Sequence, residues 1–161
     1  MKDERLAWAE ATLRQARRLA LRYAASGMRV ERKPDRSPVT AADRAIETFL
    51  RRRLARAFPG DAVVGEEFGS PPTLGGTFWT IDPIDGTRAF TRGLPSWGIL
   101  LGRVEQDRAV LAACQFPVFD IFLGVAPGTP AYERRDGRRV LLPRARQAPT
   151  LEDAVIFHGG S

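Results

Sequence analysis

Apolar residues recur at helical spacing along the first part of the chain. Leu6, Ala9, Leu13, Ala16, Ala20 and Tyr23 step by three and four, which puts them on one face of a helix. The spacing predicts a helix over residues 2–26, with Gly27 as its C-terminal cap. Arg14, Arg17, Arg18 and Arg22 fall off the stripe or on its rim. The small alanines in the stripe imply close packing against a second helix. Ala42, Ile46, Phe49, Leu50, Leu54, Ala57 and Phe58 supply that second stripe. Thr40 and Asp43 make a capping-box-like start and Pro59-Gly60 a stop, so this helix is expected over residues 40–58. Residues 28–36 between the helices read as a polar connection, with a short strand over 28–32. Lys33 within it is one of only two lysines.

Beyond Gly60 the pattern shortens to apolar runs bounded by Gly, Pro and Asp. Strands are expected over residues 62–65, 78–81, 96–104, 109–116, 119–125, 140–142 and 154–157. Pro83 has no amide hydrogen, so the second of these strands should stop at Asp82. A short helix is expected over 88–91. Residues 105–108 read as a hairpin turn, 126–130 as a loop, and 134–139 as a basic hairpin tip turning on Asp136-Gly137. Consecutive strands joined by short turns form an antiparallel meander. The expected class is therefore α+β, two N-terminal helices layered on a mostly antiparallel sheet. Residues 68–77, rich in Gly and Pro, read as a loop suited to closing over a site.

Composition changes this picture little. At 161 residues the chain fits one domain, residues 1–161, with a real core. No apolar run approaches membrane-spanning length. The start, Met1-Lys2-Asp3-Glu4-Arg5, lacks a signal-peptide pattern. Cys114 is the single cysteine and reads as a small buried hydrophobe, with no internal disulfide to form. These features fit the cytoplasm. Basic residues outnumber acidic ones 25 to 19, for a net charge of +6. The excess is interleaved with acids on helix faces and loops, without the aromatic interleaving of a nucleic-acid stripe. It reads as solvated surface with some attraction for a phosphorylated substrate.

The chemistry gathers at Asp82-Pro83-Ile84-Asp85-Gly86-Thr87. Two carboxylates follow an apolar run on one tight turn, Gly86 frees the backbone, and Thr87 is placed to cap the next helix. Hard divalent cations take oxygen ligands of this kind, and phosphate takes backbone amides. Asp-Pro and Asp-Gly are also ordinary turn dipeptides, and alone they would mark a solvated loop. Two further acidic positions argue against that. Glu66 and Glu67 end the 62–65 strand, and Asp43 sits at a helix start. Adjacent acids in extended chain diverge, so only one of Glu66 and Glu67 can face a given ion.

Taken in this order, Ser37-Pro38-Val39-Thr40-Ala41-Ala42-Asp43, Val64-Gly65-Glu66-Glu67 and Asp82-Pro83-Ile84-Asp85-Gly86-Thr87 resemble the inositol monophosphatase superfamily of metal-dependent phosphatases. Gly86-Thr87-Arg88-Ala89-Phe90, with Gly93 and Pro95, is similar to its histidinol-phosphatase-like branch. The resemblance runs from about residue 6 to about residue 125. It implies the N-terminal half of the family's αβαβα fold, and hydrolysis of a phosphate monoester with two or three magnesium ions, for which manganese can substitute. It implies that Glu66, Asp82 and the carbonyl of Ile84 hold one ion and that Asp82 and Asp85 share a second. Thr87 would hold the attacking water and Glu66 help take its proton. The amides of Gly86 and Thr87, beside Asp85, would bind the substrate phosphate. Asp43 would touch an ion through water, and Glu67 would border the site.

The family's second half, with a Trp-Asp-type motif carrying a further metal-ligand aspartate, has no counterpart here. The C-terminal domain is expected to be absent from this chain, and its activity to be low. Partners expected are a small phosphorylated metabolite, with no nucleic acid and no membrane; a homo-oligomer is left open. Alternatives are an inositol-1-monophosphatase, a sugar or nucleotide bisphosphate phosphatase of the same superfamily, or a domain that binds metal or phosphate without turnover. His158, the only histidine, is left out of the site.

Overall fold

The computed structural model describes residues 4–26, 30–32, 38–69 and 76–143. Gly27, Lys33, Ser37, the expected 154–157 strand and His158 lie outside the described residues, as does most of the 68–77 loop.

Helix α1 (Glu4–Ala25) and helix α2 (Ala41–Ala57) bracket a two-stranded ribbon, β1 (Val30–Arg32) antiparallel to β2 (Pro38–Thr40). The other strands form one seven-stranded sheet in chain order: β3 (Ala62–Gly65), β4 (Thr77–Asp85), β5 (Gly98–Glu105), β6 (Arg108–Phe116), β7 (Ile121–Ala126), β8 (Thr129–Arg135) and β9 (Arg138–Leu141). Among the described strands, only β3 and β4 run parallel. A short helix α3 (Thr87–Thr91) lies between β4 and β5.

Both long helices bury the expected stripes. Leu6, Ala9, Leu13, Ala16 and Ala20 of α1 and Ala42, Ile46, Leu50 and Leu54 of α2 are at most 2% exposed. Ala57 departs from the expected stripe and is exposed, because α2 ends there. The helices cover one sheet face, which presents Trp79, Ile81, Ile99, Leu101, Leu111, Phe122 and Tyr132. Trp8, Phe58 and Trp79 join helices to sheet in one ring cluster, with centroids 4.9 to 5.7 Å apart. The indole N–H of Trp79 donates to Asp61 at 2.8 Å, and the buried Arg103 binds the same carboxylate at 3.1 Å while lying over the Trp79 ring. A charge enters this core only with a paired partner, as burial demands.

The opposite sheet face carries no layer among the described residues. Thr80, Leu100, Gly102, Ala112, Cys114, Leu123, Val125, Ala131 and Leu142 line a groove of about 330 Å³ there. Cys114 is thus half-buried on an open face rather than enclosed in the core.

Two strand expectations need correction. β4 does not stop at Asp82: its pairing with β5 is interrupted after Asp82↔Leu100 and resumes at Asp85↔Gly98. β8 was not expected as a strand at all: it begins at Thr129, inside the segment read as a loop, passes through Pro130 and runs to Arg135. The 134–139 hairpin stands as expected, with Asp136 and Gly137 at φ 50° and 74°.

Candidate active site at the end of strand β4

Parallel pairing of β3 with β4 brings the ends of both strands together. Gly65 lies opposite Ile81, and the Glu66 amide donates to the Ile81 carbonyl at 3.3 Å. Glu66 therefore leaves β3 beside Asp82. Asp82 pairs with Leu100, and Leu100 with Cys114. Paired residues share a sheet face, so Asp82 belongs to the open face and not to the helix-covered one.

The electrostatics at Asp82 are strained. Burial, then the charges of Glu66 and Asp85, then a hydrogen bond with the Glu66 side chain push its carboxyl from the ordinary carboxylate range up to about 7. Its Oδ1 is buried with no hydrogen-bond partner. The same charges reach Cys114: burial first, then Asp85 and Asp82, raise its thiol to about 12.

Past the β4 interruption, Gly86 takes φ 89° and ψ 39° and is itself the N-cap of α3. A Cβ at Gly86 would stand 3.0 Å from the Ser96 carbonyl oxygen and 3.4 Å from Trp97, so left-handed φ and close approach both call for glycine. Phe90 of α3 meets the buried Trp97 edge to face at 4.7 Å and holds the short helix down. The amides of Ala89 and Phe90 both donate to the Gly86 carbonyl. Thr87 does not cap α3, contrary to expectation. It is the first helical residue, and its hydroxyl donates to the Ile84 carbonyl at 3.1 Å. Glycine takes the cap because the chain there requires positive φ, which threonine resists.

Glu66, Asp82, Asp85, Gly86 and Thr87 thus lie on two adjoining segments. Glu66 and Asp85 are exposed, and Glu67 and Thr87 are half-buried. Glu66 and Glu67 lie in the turn after β3, and the Glu67 backbone amide donates to Glu47 at 2.7 Å. Asp43 is 2% exposed in the first turn of α2, where its charge complements the helix dipole. Among the described residues, no three Asp, Glu, Cys or His side chains form a ready-made coordination group. The donors nevertheless fit a hard divalent cation in kind: all are oxygens, one buried oxygen lacks a partner, and the carboxylates repel each other.

Glu47 was missed by the reading of the sequence. It is fully buried, and its carboxylate receives the amides of both Glu67 and Phe68. The available signal was an acid set into the apolar stripe of α2, four residues after Asp43 and four before Arg51.

The comparisons with known proteins agree on one family. A histidinol-phosphatase of Mycobacterium tuberculosis is 41% identical over 119 residues, covering 74% of this chain and 46% of that protein. A histidinol-phosphatase of Streptomyces coelicolor is 49% identical over 84 residues, covering 52% of this chain and 31% of its own length. The chain therefore spans less than half the length of these relatives. Among solved structures, the IMPase of Thermotoga maritima superposes with a TM-score of 0.77 at 29% identity, over 86% of this chain and 53% of that one. With the inositol monophosphatase family model matching residues 1–158, and the helix-on-sheet fold shared with a solved member, this chain belongs to the inositol monophosphatase family.

Proposed function

We propose that this chain carries the metal- and phosphate-binding part of a phosphate monoester hydrolase of the histidinol-phosphatase kind. The observation that carries the reading is Asp82. A half-buried carboxylate with one buried, unpartnered oxygen, pressed by Glu66 and Asp85, is held in a state that a divalent cation would relieve. The family is metal-dependent, and we assign magnesium, with manganese as a substitute.

In this reading Glu66, Asp82 and the Ile84 carbonyl hold one ion, and Asp82 and Asp85 hold another. When bound, such ions neutralise phosphate charge, lower the pKa of water and stabilise a leaving alkoxide. The chain's own groups do the positioning. A carbonyl oxygen has two lone pairs, so Ile84 can keep the Thr87 hydroxyl bond and still face an ion. Thr87 Oγ1 keeps a lone pair to orient the attacking water, and Glu66 accepts its proton. The amides of Gly86 and Thr87, at the turn fixed by Trp97, face the phosphate oxygens. Asp43 supports the site from the start of α2.

Similarity to histidinol-phosphatases favours histidinol phosphate as the substrate. The fold match to an IMPase supports an inositol phosphate as the second reading. The deciding test is calorimetric titration of the purified chain with Mg2+ and Mn2+, with melting curves in parallel. Binding should raise the melting temperature by mass action. Asp82→Asn, which keeps shape and removes charge, should abolish most of that rise. An unchanged rise in Asp82→Asn would overturn the assignment. A panel of histidinol phosphate and inositol phosphates, assayed on the chain joined to a family second half, separates the two substrates.

A further inference from the structure

One device lies outside the proposed chemistry, the Glu47–Arg51 pair on α2. Glu47 is 0% exposed. Its Oε2 accepts the Glu67 amide at 2.7 Å, and its Oε1 accepts the Phe68 amide at 3.3 Å and Arg51 Nε at 2.7 Å. Arg51 goes on to donate to the Val63 carbonyl at 3.3 Å and the Gly69 carbonyl at 2.6 Å. One ion pair on a helix thus grips four backbone groups spread over residues 63–69. Independently, a Cβ at Gly65 would lie 1.9 Å from Glu47 Oε1, so the carboxylate is seated against bare backbone. Glu66 sits in the middle of this grip. Its own amide is tied to Ile81 and the next amide is tied to Glu47.

We infer that Glu47, braced by Arg51, is a positioning residue that fixes where Glu66 presents its carboxylate to Asp82. It sets cation affinity without touching the cation. This rests on the reading of Glu66 and Asp82 as cation ligands. An ion pair with one partner buried is a poor source of net stability, but it suits this task because its hydrogen bonds reach both strand end and turn. Groups that orient a metal's ligands typically govern affinity by about 10–100-fold.

The test is Mn2+ titration by calorimetry on the full chain, comparing the parent with Glu47→Gln, Arg51→Lys, Glu66→Gln and Leu13→Ala. Leu13 is a fully buried residue of α1 and controls for lost stability alone. The expected result is Mn2+ affinity weakened on the order of tenfold in Glu47→Gln, and less in Arg51→Lys, which keeps charge but loses the fork. Leu13→Ala should lower the melting temperature and keep the parental Kd. Parental Kd in a folded Glu47→Gln, with loss in Glu66→Gln, overturns the inference alone. Parental Kd in Glu66→Gln overturns the site reading beneath it. If Glu47→Gln does not fold, Arg51→Lys decides, and parental Kd there overturns the inference.

Discussion

Asp82 is the residue on which pH acts. Its carboxyl is raised to about 7 by burial and by the Glu66 and Asp85 charges, whereas an unfolded aspartate titrates near ~3.9. Between those values the folded chain holds more protons than the unfolded one, so metal-free stability should fall as pH rises from about 4 to about 7. Melting curves in chelator across that window should show the slope, and Asp82→Asn should flatten it. Metal affinity should run the other way, rising through pH 7 as the proton leaves. Thr87 belongs to this scale too. In the chain joined to a family second half, Thr87→Val should lower kcat far more than it raises KM, because the hydroxyl is assigned to the attacking water. A raised KM at constant kcat would make Thr87 a binding group. The acids at residues 66, 82 and 85 were legible because turn dipeptides and strand-end acids stand out in sequence. Glu47 was not, because only the folded chain shows a buried charge receiving backbone amides from twenty residues away.

At the scale of elements, the two helices were legible almost to the residue, since long stripes at period 3.6 leave little freedom. Both strand errors involve proline. Pro83 was read as ending a strand and Pro130 as part of a loop, yet each sits inside a strand where the ladder shifts register, between Asp82 and Asp85 and opposite the step from Gly124 to Ala126. A register shift leaves a position where no amide hydrogen is required, so proline is tolerated there. A single sequence marks the proline but not the partner strand's register. The helix layer is more constrained. Ala9, Ala16 and Ala20 are all 0% exposed, so enlarging one should strain the packing. Ala16→Leu is expected to destabilise by about 1–3 kcal/mol in urea denaturation.

At the scale of the whole molecule, the sheet face that carries no layer among the described residues dominates. It is lined by Leu100, Ala112, Leu123 and Val125, and its outer strand β9 leaves Val140 and Leu141 about 60% exposed. Among the described residues, this apolar surface and the β9 edge that no strand pairs together favour self-association. Size-exclusion chromatography with light scattering should show oligomers that grow with concentration. A clean monomer at high concentration would contradict this. Asp82 of the acidic site belongs to that same face.

The seating of Trp97 has a consequence for how this turn can be watched. The chain's three tryptophans divide into two optical environments. Trp8 and Trp79 share a ring cluster under the helices, whereas Trp97 lies against Phe90 and beneath Gly86. Fluorescence from Trp97 should report events at the Gly86 turn, while the other two indoles supply a constant background. Adding Mg2+ should shift the emission of the parent and leave that of Trp97→Phe unmoved, which makes the turn a built-in fluorophore for timing ligand arrival by stopped flow.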